Sequence, residues 1–269
     1  MTKVLLLFLL TLSPLLAQSI EATYNVKFSF FGKIGESIVT YEREHNHYKI
    51  TVRAITMGIT ATLTSNRVET YISEGNIVNG LLQPHTFISS KKSDKKIRTK
   101  TYTFDHHNQR ITLDVDTTRF KTKRSFDIKH MKIIETKNTV VSHSNRLYDY
   151  YAKDDAISLF FNTPTYLKET PKAHSKQVHA IGINHDDDAI TITLPSEQKE
   201  RKIKKHLRVP ASNHVYTIDV SKDVLTEDDA AGELIITMDN NNMPTAVFME
   251  NIALFGDIKA KKVSEKILP

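Results

Sequence analysis

The sequence predicts an all-β, mainly antiparallel fold, a curved sheet or open β-barrel with one short helix. Two observations predict it. Apolar side chains recur with a period of two along most of the chain, and short Gly, Asn, Asp and His clusters interrupt that alternation. Only "YDYYAKDDAISLFFNTPTYL" reads as helical, and no sustained heptad, fixed-period repeat or long linker is present. The 269 residues suffice for one large β domain, expected over 22–265.

The first element is not part of that domain. In "MTKVLLLFLLTLSPLLAQSIEA", Lys3 gives a short positive region, Val4 to Leu12 is apolar but for Thr11, and Ser13-Pro14 breaks the helix before "LLA". This is the pattern of a signal peptide over 1–17, with cleavage after Ala17 or, less favourably, after Ala22. The alternative, a membrane anchor, needs an apolar run of about 20 residues, and this one is shorter. The expected location is the periplasm, with no transmembrane segment after cleavage and no lipid anchor, because the chain has no cysteine.

Strands follow. Tyr24, Val26 and Phe28 share one parity, "FFGKIGE" supplies two glycines for a bend or bulge, and residues 36–55 read as a hairpin turning at "EREHNHYK". Residues 56–84 read as two strands around "SEGN", with Gly75 at the turn. In "RTKTYTFDHHNQRITLDV", pairing Phe104 with Ile111 sets Tyr102 opposite Leu113 and Lys100 opposite Val115. Asp105 then faces Arg110 across His106-His107-Asn108-Gln109, with Asn108 as the left-handed residue.

Residues 116–147 stay strand-compatible. Asp154 or Asp155 caps the helix, Leu159, Phe160 and Phe161 form its apolar face, and Pro164 stops it. "QVHAIGINHDDDAITITLP" reads as a hairpin turning at "HDDD", flanked by Ile181-Ile183 and Ile190-Ile192. Residues 196–208, "SEQKERKIKKHLR", are too charged for a core strand and are expected to be an exposed connection. The closing segment gives three or four strands, with "DNNNMP" as a turn.

Composition excludes several chemistries. Without cysteine there is no disulfide, thiolate metal site or Cys nucleophile. There is no GxSxG elbow, Walker loop or dinucleotide fingerprint, so no cofactor is expected. A metal at His45 and His47 would need Glu42 or Glu44 to join them, and "HDDD" lacks the spacing and glycine of a calcium loop. Solvated turns account for both, so no metal site is expected. "DHH" likewise reads as a turn, because two histidines at a loop tip diverge.

The formal net charge is +6. For an exported protein this favours lipid headgroups or another anionic envelope component over nucleic acid, and no aromatic RNA-binding platform lies near the charges. The candidate basic rim comprises Lys96, Arg98, Lys100, Arg119, Lys121 and Lys123, with Lys96 opposite Arg119 in the hairpin register. Its bland counterpart is an edge whose lysines discourage strand-to-strand aggregation.

Several patterns coincide with one family. "YNVKFSFFGKIGE", "SNRVETYISEGNIVNGLLQP", "KTYTFDHHNQRITL", "DDAISLFFN" and "MDNNNMPTAVFMENIALFGDIKAK" occur in the order seen in bacterial exported proteins grouped as domain of unknown function 3108, which the chain resembles over residues 23 to 262. The resemblance implies a curved antiparallel sheet or open barrel in the cell envelope. It implies no activity and carries over no catalytic residue. The functional expectation is a non-enzymatic envelope protein binding a lipid-like ligand or envelope partner. The alternatives are an assembly scaffold without a small ligand and a hydrolase of envelope polymers.

Overall fold

The computed structural model describes residues 18–127, 129–183, 189–221, 231–252 and 256–268. The signal peptide expected over 1–17 and the "HDDD" turn at 185–188 lie outside the described residues. The first arm of the sheet comprises β1 (Gln18–Phe28), β2 (Gly32–Glu44), β3 (His47–Thr56), helix α1 (Gly58–Leu63), β4 (Val68–Val78), β5 (Leu81–Lys92), β6 (Lys96–Asp105), β7 (Arg110–Asp127) and β8 (Lys132–Leu147). Next come β9 (Asp154–Asp155), α2 (Ala156–Tyr166), β10 (His174–Val178), β11 (Ala180–Ile181), β12 (Ile190–Leu194) and α3 (Glu197–Leu207). The second arm is completed by β13 (His214–Ser221), β14 (Ala231–Met238), β15 (Pro244–Ile252) and β16 (Gly256–Leu268).

Fourteen strands form one curved antiparallel sheet in the order β10-β12-β13-β14-β15-β16-β1-β2-β3-β4-β5-β6-β7-β8. The sheet does not close, so β10 and β8 are its edges. β1 lies inside it, paired with β2 on one side and with β16 on the other. The all-β antiparallel expectation holds.

The period-two alternation sorts side chains to two faces. Ile20, Ala22 and Tyr24 of β1, with Tyr48, Ile50, Tyr102 and Phe104, pack on the concave side against α2 through Ile157 and Phe161. The second arm sends Tyr216, Ile218, Ile236 and Met249 to the same side, around Leu159. Helix α2 therefore lies in the trough between the arms. The alternate residues Val215, Ile235, Ala246 and Phe248 face the convex side, where Ile203 and Leu207 of α3 cover them.

Several local expectations are corrected. Three short helices occur among the described residues instead of one. Residues 57–64 hold α1, not a strand, and "SEGN" is not a turn. β4 runs straight through it with a bulge at Glu74/Gly75, and a Cβ on Gly75 would lie within 2.8 Å of the Gln83, Pro84 and His85 backbone. The chain turns at Asn79-Gly80, both with positive φ (52° and 78°), as a tight hairpin requires. Helix α2 continues past Pro164 to Tyr166. β10 pairs with β12 as Val178 with Ile190, while Ala180–Ile181 leaves the sheet to pair in parallel with β9.

The expected connection at 196–208 is helix α3. Ser196 caps it, Glu197 and Glu200 occupy its first turn, and Lys204, Lys205 and His206 its last, all favourable to the helix dipole. Only Ile203 and Leu207, four residues apart, are buried. That single apolar stripe suffices for one-sided packing.

Candidate functional site

The trough under α2 is not completely filled. A cavity of about 340 Å³ lies between α2 and both arms, walled by Val39, Val52, Phe160, Phe161, Leu234 and Val247 among others. Among the described residues its polar lining is Tyr24, Tyr71 and Ser37. The Tyr24 hydroxyl donates to the Pro244 carbonyl at 2.7 Å, and the Tyr71 hydroxyl donates to Glu69. Burial pushes both phenols well above their ordinary pKa, so they stay neutral. The lining thus offers an apolar ligand contact area and few free polar groups.

The lining positions lie toward the end of the sheet that carries the β1–β2 and β3–β4 connections. That end exposes large apolar side chains: Phe30 and Phe31 in the first connection, Ile59 and Leu63 in α1. It is continuous with the next hairpins. Asp94 N–H donates to the Ser65 carbonyl, and Phe120 N–H to the Lys95 carbonyl, each at 2.9 Å.

Helix α2 forms one wall of the cavity and is held by a polar cluster. Asp155 caps it, accepting from the N–H of Ile157 (2.7 Å) and Ser158 (2.8 Å), while its own N–H donates to Ser158 Oγ. Ser73 Oγ of β4 donates to the same carboxyl at 2.5 Å and bonds Tyr48 OH at 3.0 Å. Burial pushes the Asp155 carboxyl up to about 7, with the neighbouring Asp154 adding to the rise and the three donors opposing it. Asp154, also raised by burial, accepts from Asn162 Nδ2 and Tyr166 OH, both at 2.6 Å. These adjacent carboxyls are fully engaged inside the fold and line no part of the cavity. They position the helix.

The predicted hairpin register is the observed one: Phe104 pairs with Ile111, Tyr102 with Leu113, Lys100 with Val115 and Asp105 with Arg110. The left-handed residue of the loop is Gln109 (φ 52°), not Asn108, which bonds Asp105 through its N–H and its side chain. His106 ties the tip inward. Its Nε2 lies 2.6 Å from the Pro84 carbonyl and its Nδ1 2.7 Å from Tyr151 OH, so in the neutral ring Nε2–H donates and Nδ1 accepts. His45 and His47 approach different carboxylates, Glu44 and Glu74 respectively. No cluster of three metal-binding side chains occurs among the described residues.

Lys96 of β6 is the direct partner of Arg119 of β7. Lys96, Arg98 and Lys100 continue the row of Tyr102 and Phe104, so they extend the concave face beyond the aromatic core. Lys121 and Lys123 pair instead with Asn138 and Thr136 on the long β7–β8 ribbon, beyond the end of β6. The structure thus groups four of the six and carries the other two outward. Periodicity gave the strands around the cavity but not the cavity, because its walls come from residues as far apart as 24 and 260. No helix of the described residues is long and apolar enough to cross a membrane.

Residues 23–131 match the model of the family described as Protein of unknown function (DUF3108). The match spans β1 through the β7–β8 turn, less than half of the chain. No curated protein and no solved structure matches the chain.

Proposed function

We propose that the protein is exported to the periplasm and binds a lipid-like molecule in the cavity beneath α2. The observation that carries this reading is the cavity itself, about 340 Å³ of space with an apolar lining. Protein interiors are otherwise close-packed, and leaving such a volume empty forgoes packing worth several kcal/mol, roughly in proportion to its size. An apolar ligand recovers that packing. The apolar tips Phe30, Phe31, Ile59 and Leu63, with the neighbouring basic residues Lys95 and Lys96, form a surface suited to anionic headgroups. Export rests on the apolar leader at 4–12 and the small residue at Ala17.

The direct test is native mass spectrometry of the mature protein from its own periplasm, with organic extraction of what co-purifies. A stoichiometric lipid supports the reading and names the ligand class. A clean apo mass at full occupancy leaves the cavity without a ligand and overturns it.

A second reading, an assembly scaffold, is favoured by edge strand β8. It presents Ile133, Val140 and Val141 to solvent beside unpaired backbone groups. Pairing with another chain would cover that edge. A specific protein partner captured by β8 and lost on Val141→Lys would favour it.

A further inference from the structure

The convex face carries a second concavity, about 430 Å³, where the C-terminal end of α3 overhangs β1 and β16. On the sheet, Lys27 stands directly opposite Lys259, and Asn25 opposite Lys261. From the helix, His206 and Arg208 complete the wall. We propose that this concavity is a binding site for a phosphate-class anion, held by Lys27, Lys259, Lys261 and Arg208.

Four observations carry the assignment. Among the described residues no carboxylate lines the concavity and none of the four cations has an ion-pair partner. The acid opposite Asn25, Glu36, is bound to Lys33 at 2.7 Å, and Asp257 lies one pleat away from Lys259, outside the lining. Like charges directly opposite on a sheet are destabilising, so the Lys27–Lys259 pairing costs stability unless an anion joins it. The lysines are not consumed by their structural contacts either. Lys259 donates to the Leu207 carbonyl at 3.4 Å and Lys261 to the Arg208 carbonyl at 3.1 Å, leaving each ammonium two further protons.

The fourth observation is the backbone of Arg208. It ends α3 in the left-handed conformation (φ 53°, ψ 50°), a place where glycine or asparagine is the unstrained choice. An arginine there accepts backbone strain and sets a guanidinium beside three lysines. Burial, followed by Lys261, Arg208 and Lys27, depresses the Lys259 ammonium, so the four charges sense one another. A guanidinium fork with flanking ammonium groups matches the oxygens of a phosphate. The volume leaves room for a group attached to it. The site is independent of the cavity under α2, which lies on the other face.

The test is calorimetric titration of the mature protein with inorganic phosphate and pyrophosphate, and separately with phosphatidylcholine vesicles containing phosphatidic acid. Wild type is compared with Arg208→Gly and Lys27→Gln. Glycine suits the left-handed cap, so Arg208→Gly should melt at or above the wild-type temperature while weakening binding at least about ten-fold. Saturable one-to-one binding of the free anions, lost in both variants, supports the site and assigns a soluble ligand. Binding only to the phosphatidic acid vesicles, with the same losses, supports it and assigns a lipid headgroup. No saturable binding in either arm, or binding that either variant leaves unchanged, overturns it.

Discussion

The side-chain amide of Asn162 in α2 binds both backbone groups of Leu82 in β5. Its Oδ1 accepts from the Leu82 N–H and its Nδ2 donates to the Leu82 carbonyl, each at 2.8 Å. The same Nδ2 also donates to Asp154. One buried side chain thus continues the sheet's hydrogen bonding into the helix that roofs the cavity. Asn162→Ala leaves buried backbone groups without partners and should cost about 2–4 kcal/mol. Urea denaturation would measure it. A loss below about 1 kcal/mol would mean that α2 is held by packing alone.

The stability should depend on pH through Asp155. Its carboxyl is raised to about 7 in the folded protein, above the ordinary value of 3.8. Between these values the folded state holds a proton that the unfolded state has released. Stability from this group is therefore full below about 4, falls as pH rises, and is lost above about 7, with a limiting slope of about 1.4 kcal/mol per pH unit. Asp154, also raised, adds to the slope with the same sign. Urea midpoints from pH 4 to 8 should fall for wild type and fall less for Asp155→Asn. Equal slopes would sink the assignment.

Filling the cavity should abolish the proposed lipid binding without unfolding the protein. Val247→Phe and Ala260→Leu add side-chain volume where both residues line the cavity. Enlarging a residue in a packed core costs about 1–3 kcal/mol, whereas here the added atoms meet open space. The expected result is an unchanged or higher melting temperature together with loss of co-purifying lipid in native mass spectra. Retained lipid at full occupancy would place the ligand elsewhere.

The apolar tips should matter at a membrane surface. Phe30 and Ile59 are 74% and 77% exposed, far more than a core needs. Phe30→Ser with Phe31→Ser should leave the melting temperature within a few degrees of wild type. Association with anionic vesicles, measured by flotation, should drop several-fold. Sodium chloride should weaken the remaining association through Lys95 and Lys96. Unchanged flotation would remove this end of the sheet from the proposal.

The mature chain is expected to begin at Gln18. Cleavage after Ala22 would delete Ile20 and Ala22, both buried in the concave core, from a strand paired on both sides. A variant beginning at Thr23 should melt roughly 10 °C lower. N-terminal sequencing of periplasmic protein checks the first point, and a thermal scan of the variant checks the second.

Register was legible where turn chemistry and alternation agreed, as in the Phe104–Ile111 hairpin. It is not legible where a glycine serves close approach instead of a turn. Gly75 sits opposite Pro84 in a bulge, and the true turn, Asn79-Gly80, lay four residues on. Helix α3 was written in the sequence through Ser196, the early acids and the late bases, but its charge density masked the Ile203–Leu207 stripe. The basic-rim candidates share parity on adjacent strands. Lys27, Arg208, Lys259 and Lys261 share no such local signal, because parity relates neighbours and these residues are brought together from opposite ends of the chain.

The sequence by itself determined the class of fold, the alternation of faces and the local hairpins, because a period of two and short-range turn preferences are properties of neighbouring residues. Only the tertiary structure decided that β1 and β16 pair, that α2 enters the trough and that α3 covers the opposite face. Those outcomes depend on which apolar surfaces remain to be buried once the local elements exist. Both the cavity under α2 and the basic concavity beside α3 arise at such long-range junctions, where packing between distant segments sets the shape.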